Sequence, residues 1–383
     1  MARAEEVVPG LETRMLLHAG PPLEWDSASG PVRGALVGAT VLESWADSLE
    51  EAEALLAGGV IRLSPCHHHQ AVGPMAGVIS PSMPVCIVEN ETYGNRAYAT
   101  LNEGLGRVLR YGANDASVRA KLRWLADEAS PILATALHRS GPVDLTGIMA
   151  RALHMGDELH NRNTAATSLF TRIVAPHLPG VRGDLSGFLR YLSETDHFFL
   201  NLSMAACKAS LDPARDVPSS TLVTAIARNG TSVGIQVSGL GEQWFTAPAP
   251  KVRGLYFPGY GEEDANPDVG DSAITETGGL GGFALAASPA ITQFIGGDVG
   301  QGKQYTDEMY GITLGMHPRY TIPALNFKGT PVGVDVMRVS HSRIAPILDT
   351  GIAHREAGVG QIGAGIVRLP LEPFDEALLA YWT

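Results

Sequence analysis

The densest chemistry in the chain lies in HMGDELHNRN, His154 to Asn163, where two His, an Asp, a Glu, an Arg and two Asn stand between long apolar-periodic segments. Solvated helix faces usually carry flexible Lys and Glu, so short, directional, titratable groups at this density mark a candidate site. Glu158 and His160 can act as acid and base, and Arg162 can clamp a carboxylate or phosphate through parallel N–H donors. Asp157, Asn161 and Asn163 crowd beside them. On a 3.6-residue period His154, Asp157, Glu158, Asn161 and Arg162 share one stripe, while Met155, Leu159 and Ala166 line another. Gly156 predicts a break, with Asp157 as N-cap of a new helix running to about Val174. A plain Glu158–Arg162 bridge at i,i+4 is the simpler reading, worth a few tenths of a kcal/mol. It leaves Asp157, Asn161 and Asn163 unexplained.

Four other stretches carry candidate groups. In PCHHHQ, His67 and His68 are proton carriers suited to direct substrate contact, and with Cys66 and His69 they could contribute to a metal site. The spacing matches none of the usual zinc patterns, so a metal is possible but not favoured. GDSAITETGGLGG, Gly270 to Gly282, sets Asp271, Ser272, Thr275 and Glu276 ahead of Gly279, Gly281 and Gly282, whose backbone N–H groups could hold an anion at a helix start. No nucleotide fingerprint is present. The polar turn ENETYGNR supplies Asn90, Asn95 and Arg96, and Arg228-Asn229 is expected to end a helix. TGIAHREAGVGQIGAG, Thr350 to Gly365, adds His354, Arg355 and Glu356 beside a flexible glycine track.

The elements that must position these groups read as a mixed α/β (α+β) protein in three parts. Residues 1–113 form an N-terminal α/β domain, with a polar arm over 1–30, an apolar run at Gly34 to Leu42, a helix from Trp45 to Leu56 and strands at Val60 to Leu63 and Pro84 to Glu89. The last strand would deliver Asn90, Asn95 and Arg96 at its carboxyl end, where α/β sheets bind ligands. Residues 114–229 form a helical subdomain, with apolar spacing over 117–139, 145–153, 157–175, 184–193 and 196–209. Residues 230–383 form a glycine-rich C-terminal α/β domain, with strands at Thr231 to Ser238, Gln243 to Thr246 and Gly254 to Phe257.

Bulk properties narrow the function. With 383 residues the chain can bury a full core. A net charge of -12 argues against nucleic-acid or anionic-membrane surfaces, which need clustered Lys and Arg. Three cysteines without a CxxC pair fit a reducing cytoplasm. Neither a signal pattern nor a spanning apolar run is present, so a soluble, cytoplasmic protein is expected. Forty-four glycines and few aromatics suggest many tight turns that hold ligands.

Taken in order, PCHH, AVGPM, VEN, GNRAY, LNEGLG, MGDELHNRN, FFLNLSMAACKA, RNG, VSGLGEQWFTAP, GDSAITET and TGIAHREAGVGQIGAG resemble the AllG (YlbE-like) family from about His18 onward. His69 and His154 fall outside the shared pattern. The resemblance implies a subunit of an oxamate carbamoyltransferase of anaerobic allantoin degradation, a branch of purine catabolism. The implied reaction is oxalurate plus phosphate giving oxamate plus carbamoyl phosphate, with phosphate as co-substrate and no cofactor. FdrA-like and AllH-like subunits are the implied partners, in an oligomeric assembly. Phosphate would attack the carbamoyl carbon and the leaving amide nitrogen would take a proton. Arg162 and Arg228 would then hold carboxylate or phosphate, the glycine-loop N–H groups the oxyanion, and His67, His68, His160 or His354 the proton. Glu158 or Glu276 would orient a histidine or the amide. Two other readings stand beside this one. One is a metal-dependent amidohydrolase built on His67, His68, Asp157 and His160, the other a non-catalytic binding subunit of such a complex.

Overall fold

The computed structural model describes residues 1–382 and has the expected mixed α/β class, with helices outweighing five small sheets. Strand Met15–His18 is fully buried at the centre of the first sheet, parallel to Arg62–Pro65 and antiparallel to Val78–Ile79. A second sheet joins Ala2–Arg3, Pro84–Glu89 and Arg96–Thr100, all antiparallel. The first thirty residues are therefore sheet and core rather than a polar arm. The apolar run from Gly34 lies in the helix Gly30–Leu42, buried on most sides, with Pro31 in its first turn. Periodicity does not separate a short, all-round apolar run from a buried strand, which is why this stretch was ambiguous.

The helical region follows its apolar spacing closely. Ala116–Trp124, a π-turn at Leu125–Ala129 and Ser130–Ser140 make one continuous rod, followed by Leu145–His154, Thr164–Val174, Leu185–Glu194 and Phe198–Leu211. Phe198–Leu211 is apolar nearly all round and is buried nearly all round, so it sits at the centre of the bundle. Phe170 packs on Phe198 and Phe199 at ring-centroid distances of 5.4 and 6.1 Å. Burying each such ring contributes roughly 1.5–3 kcal/mol. These helices share one hydrophobic core with residues of the N-terminal part, among them Leu16, Leu36 and Leu109.

The C-terminal part is antiparallel throughout. One sheet runs Val269–Gly270, Val223–Asn229, Ser232–Val237, Phe245–Pro248, another Arg253–Tyr256, Gln361–Arg368, Ile347–Ala353, and Thr313–Ile322 pairs with Lys328–Val334 in a long hairpin. Its core, around Ile226, Phe283, Val334 and Leu348, is separate from the first. Residue 229, the expected boundary, falls between two strands of one hairpin, and Arg228-Asn229 closes a strand, not a helix. Polar side chains fill the junction between the two cores.

Candidate functional site

Loop 155–163 connects Leu145–His154 to Thr164–Val174 without helical structure, so the helix begins seven residues later than expected and the five-residue stripe does not form. Local side-chain hydrogen bonds replace the helical ones. Asp157 accepts from Ala166 N at 2.8 Å and from Arg162 Nε at 3.1 Å. Glu158 Oε1 accepts from the backbone N–H groups of His160 (3.1 Å) and Arg162 (2.8 Å). Asn163 Nδ2 donates to His160 O at 2.9 Å. Leu159, wholly buried, takes φ 72° to close this turn, a left-handed conformation that costs a branched residue of order 1 kcal/mol. Arg162 thus pairs with Asp157, and the Glu158–Arg162 bridge of the simpler reading does not form among the described residues.

The loop aims its acid and its imidazole at the segment 275–282 and at strand Ile347–Ala353. His160 Nδ1 lies 2.8 and 3.0 Å from the two Glu276 carboxylate oxygens. That carboxylate also accepts from Thr275 Oγ1 (3.0 Å), Gly282 N (3.0 Å) and Asp349 N (3.1 Å). Burial pushes the Glu276 carboxyl up, but His160 and the two backbone donors outweigh it and hold it below the usual carboxylate range. Glu276 is therefore ionised and fixes the imidazole in place. Asn161 Nδ2 donates to Asp349 Oδ1. Burial, then the neighbouring Glu158 and Glu276 charges, push Asp349 far above its usual range. Burial likewise raises Glu158 to about 8. Glu158 Oε2 and Asp349 Oδ2 are buried without a hydrogen-bond partner. Glu158 and Asp349 together hold a proton at neutral pH, beside an ionised Glu276.

The glycine loop does not offer the oxyanion donors expected of it. Gly281 N donates to Glu158 O at 2.7 Å, Gly282 N to Glu276 Oε1, and Gly279 N to Glu276 O at 2.9 Å. Its role is to admit Glu276. A Cβ on Gly281, which has φ 54°, would stand 2.3 Å from Glu276 Oε1.

The remaining candidates lie elsewhere. Arg228 is fully buried and saturated: it takes Asp268 through two bonds of 2.7 and 3.1 Å and also reaches Gly270 O, Ser272 Oγ and Thr350 Oγ1. It is a structural tie with no donor free for a ligand, and Ser272 serves it. Asn229 holds the carbonyls of Pro21 and Pro22 and accepts from Thr231 N and Ser232 N. Asn90 and Asn95 both donate to Ala209 O, anchoring their turn to the end of the central helix, and Arg96 pairs with Glu89 at the surface. That strand is antiparallel, so the carboxyl-end rule for parallel sheets does not apply to it.

His67 is wholly buried, with Nε2 3.5 Å from Asp271 Oδ1, and burial lowers its pKa. Asp271 is held by Gly20 N at 2.7 Å and Gly73 N at 2.9 Å. His68 Nε2 accepts from Trp244 Nε1 at 2.9 Å, and burial lowers it to about 4. His354 faces Asp264 at 3.9 Å and Tyr260. Of the loops expected to converge on 157–163, segment 272–282 does so. The loops at 66–74 and 354–365 bond to other partners. Of the ligand set of the amidohydrolase reading, His67 and His68 lie against Trp244, Asp157 is held by Arg162 and Ala166, and His160 by Glu276. Among the described residues no three His, Cys, Asp or Glu are grouped to hold a metal.

Sequence reasoning missed Asp349 and His18. Asp349 sits one residue before the glycine-rich stretch that drew attention, inside an apolar strand, where a lone Asp against β-propensity was the available signal. His18 is buried with Nε2 unpartnered, near Asp271.

The buried imidazole and carboxyl cluster thus lies where the two hydrophobic cores meet, beside Leu159 of the first and Leu348 of the second. No described helix is long and apolar enough to cross a membrane. The family model of oxamate carbamoyltransferase subunit AllG matches residues 61–272. The chain is 48% identical over 374 residues to oxamate carbamoyltransferase subunit AllG of Escherichia coli K12, covering 96% of this chain and 89% of that one. It is 47% identical to the uncharacterized protein YahG of the same organism, covering 99% of this chain and 81% of that one. A crystal structure of a conserved protein of unknown function from Enterococcus faecalis V583 superposes with a TM-score of 0.97 at 45% identity, over 99% of this chain and 92% of that one. The chain belongs to the AllG family.

Proposed function

We propose that this chain is a subunit of a carbamoyl-transferring complex that exchanges a carbamoyl group between oxalurate, or a similar ureido acid, and phosphate. The observation that carries the reading is the near full-length identity to the Escherichia coli subunit. The buried cluster supports a chemical part for it. In phosphorolysis of oxalurate, a phosphate oxygen bonds to the terminal carbamoyl carbon, the bond from that carbon to the inner nitrogen breaks, and the phosphate's proton ends on that nitrogen, giving oxamate. His160, fixed through Nδ1 by ionised Glu276, can move that proton through Nε2. Its Nε2 makes no described hydrogen bond. Arg162, engaged by Asp157 only through Nε, keeps its terminal nitrogens for an anion.

Phosphate enters as co-substrate and no metal is needed for this scheme. With Arg228 saturated and the glycine N–H groups engaged, Arg162 alone cannot hold both a carboxylate and a phosphate. FdrA-like and AllH-like subunits, assembled in the cytoplasm, would supply the remaining donors. The same shortage favours, as a second reading, a binding subunit whose chemistry is done by a partner. The test is carbamoyl phosphate formation from oxalurate and phosphate by the purified three-subunit complex. No product with all subunits present sinks the proposal. Unchanged turnover in His160→Gln and Glu276→Gln complexes transfers the chemistry to a partner.

A further inference from the structure

Three buried side-chain oxygens in and against loop 155–163 have no hydrogen-bond partner: Glu158 Oε2, Asn163 Oδ1 and Asp349 Oδ2. The proton shared by Glu158 and Asp349 makes one O–H donor in this set, and the remaining oxygens accept. Glu158 and Asp349 are 0% exposed and Asn163 1%. A polar oxygen left bare at that depth costs roughly 1–3 kcal/mol, so the arrangement is completed by polar partners from outside the chain. An anionic group does not suit a position among these carboxyls, since Glu276 is ionised and Glu158 and Glu276 both bear on Asp349. The only guanidinium at hand, Arg162, stands at the rim, with its side chain 37% exposed.

Resting on the ureido-acid reading above, we infer that Glu158, Asp349 and Asn163 form a subsite for the uncharged –NH–CO–NH2 end of the substrate, with the carboxylate end outside at Arg162. A ureido group brings three N–H donors and one C=O acceptor within a few bonds and no charge, which suits buried oxygens that accept beside one O–H that donates. Asn161 and Arg162 are the partly exposed side chains of the loop's second half. Asn161 closes over Asp349 directly, so its rotation opens the subsite. The subsite selects for ureido acids over plain dicarboxylates, whose second charge would face Glu276.

The experiment is equilibrium titration of the full chain, alone and in its complex, with oxalurate, with N-acetylurea as a ureido probe lacking the carboxylate, and with oxalate as a charged probe lacking the ureido group. Wild type is expected to bind oxalurate and N-acetylurea, and oxalate at least ten-fold more weakly than oxalurate. Asp349→Asn and Glu158→Gln should weaken both ureido ligands, whereas Arg162→Ala should weaken oxalurate at least ten-fold more than N-acetylurea. Folded Asp349→Asn and Glu158→Gln proteins that bind N-acetylurea as wild type does would overturn the inference. Equal weakening of both ureido ligands by Arg162→Ala would do the same, and that arm stands even where a buried variant does not fold. Turnover of oxalurate by the wild-type complex together with such a result leaves the proposed function intact. Loss of turnover with ureido binding retained removes the function and keeps the subsite.

Discussion

Glu158→Gln removes one titration from the buried cluster and keeps an acceptor for the backbone N–H groups of His160 and Arg162. In the wild type the carboxyl holds its proton to about 8, mainly because burial disfavours the charged form. An ordinary glutamate titrates near 4.3, and each tenfold change in proton affinity is about 1.4 kcal/mol, so the penalty is on the order of 5 kcal/mol. The sign follows from linkage: the folded-state value is raised, so the stability is fully present below the unfolded value and is lost as pH climbs through about 8. Urea unfolding of both proteins from pH 5 to 9 measures this. The difference between variant and wild type is expected to be small near pH 5 and to move in the variant's favour by several kcal/mol by pH 9. A difference that stays flat over the whole range would refute the buried, protonated Glu158 and the coupling to Asp349 with it.

Three further outcomes follow from the same geometry. Glu276→Gln leaves His160 without its charged anchor, and carbamoyl phosphate formation by the complex should fall by roughly 10²-fold or more with assembly unchanged on size-exclusion chromatography. Gly281→Ala drives a methyl group against the Glu276 carboxylate at a left-handed position, so a loss of about 1–3 kcal/mol is expected in urea unfolding, together with a lower turnover. Arg228→Ala strands Asp268 inside the protein and should cost about 3–5 kcal/mol, read as a large drop in melting temperature.

The helices were the most legible part of the fold, because an apolar face repeating every three to four residues has few other ways to be buried. Leu145–His154 and Leu185–Glu194 fall within a residue or two of their expected limits. The loop between Leu145–His154 and Thr164–Val174 was not legible as a loop. Asp157, Glu158 and Asn163 bond to backbone two to nine residues away, and this competition with helix formation has no periodic signature. At the site, His160, Glu158 and Glu276 were visible as residue types. That they meet could not be read, since nothing in the spacing of residues 160 and 276 brings them together. Arg228 misled for a physical reason. A buried arginine and a ligand-binding arginine have the same sequence, and only the carboxylate at Asp268 separates them.

The polar junction described above also sets the order in which the protein can be made. His160 and Glu276 are 116 residues apart, Asn161 and Asp349 are 188, and Gly20 and Asp271 are 251. Closing such loops is slow in entropic terms, and the core helices can pack long before the last strands arrive. On the ribosome the helical bundle precedes Asp349 by more than a hundred residues of synthesis. The cluster is therefore assembled last, when strand Ile347–Ala353 brings Asp349 to Asn161. Pulsed hydrogen exchange during refolding would reveal this order as late protection at residues 156–163 and 347–350.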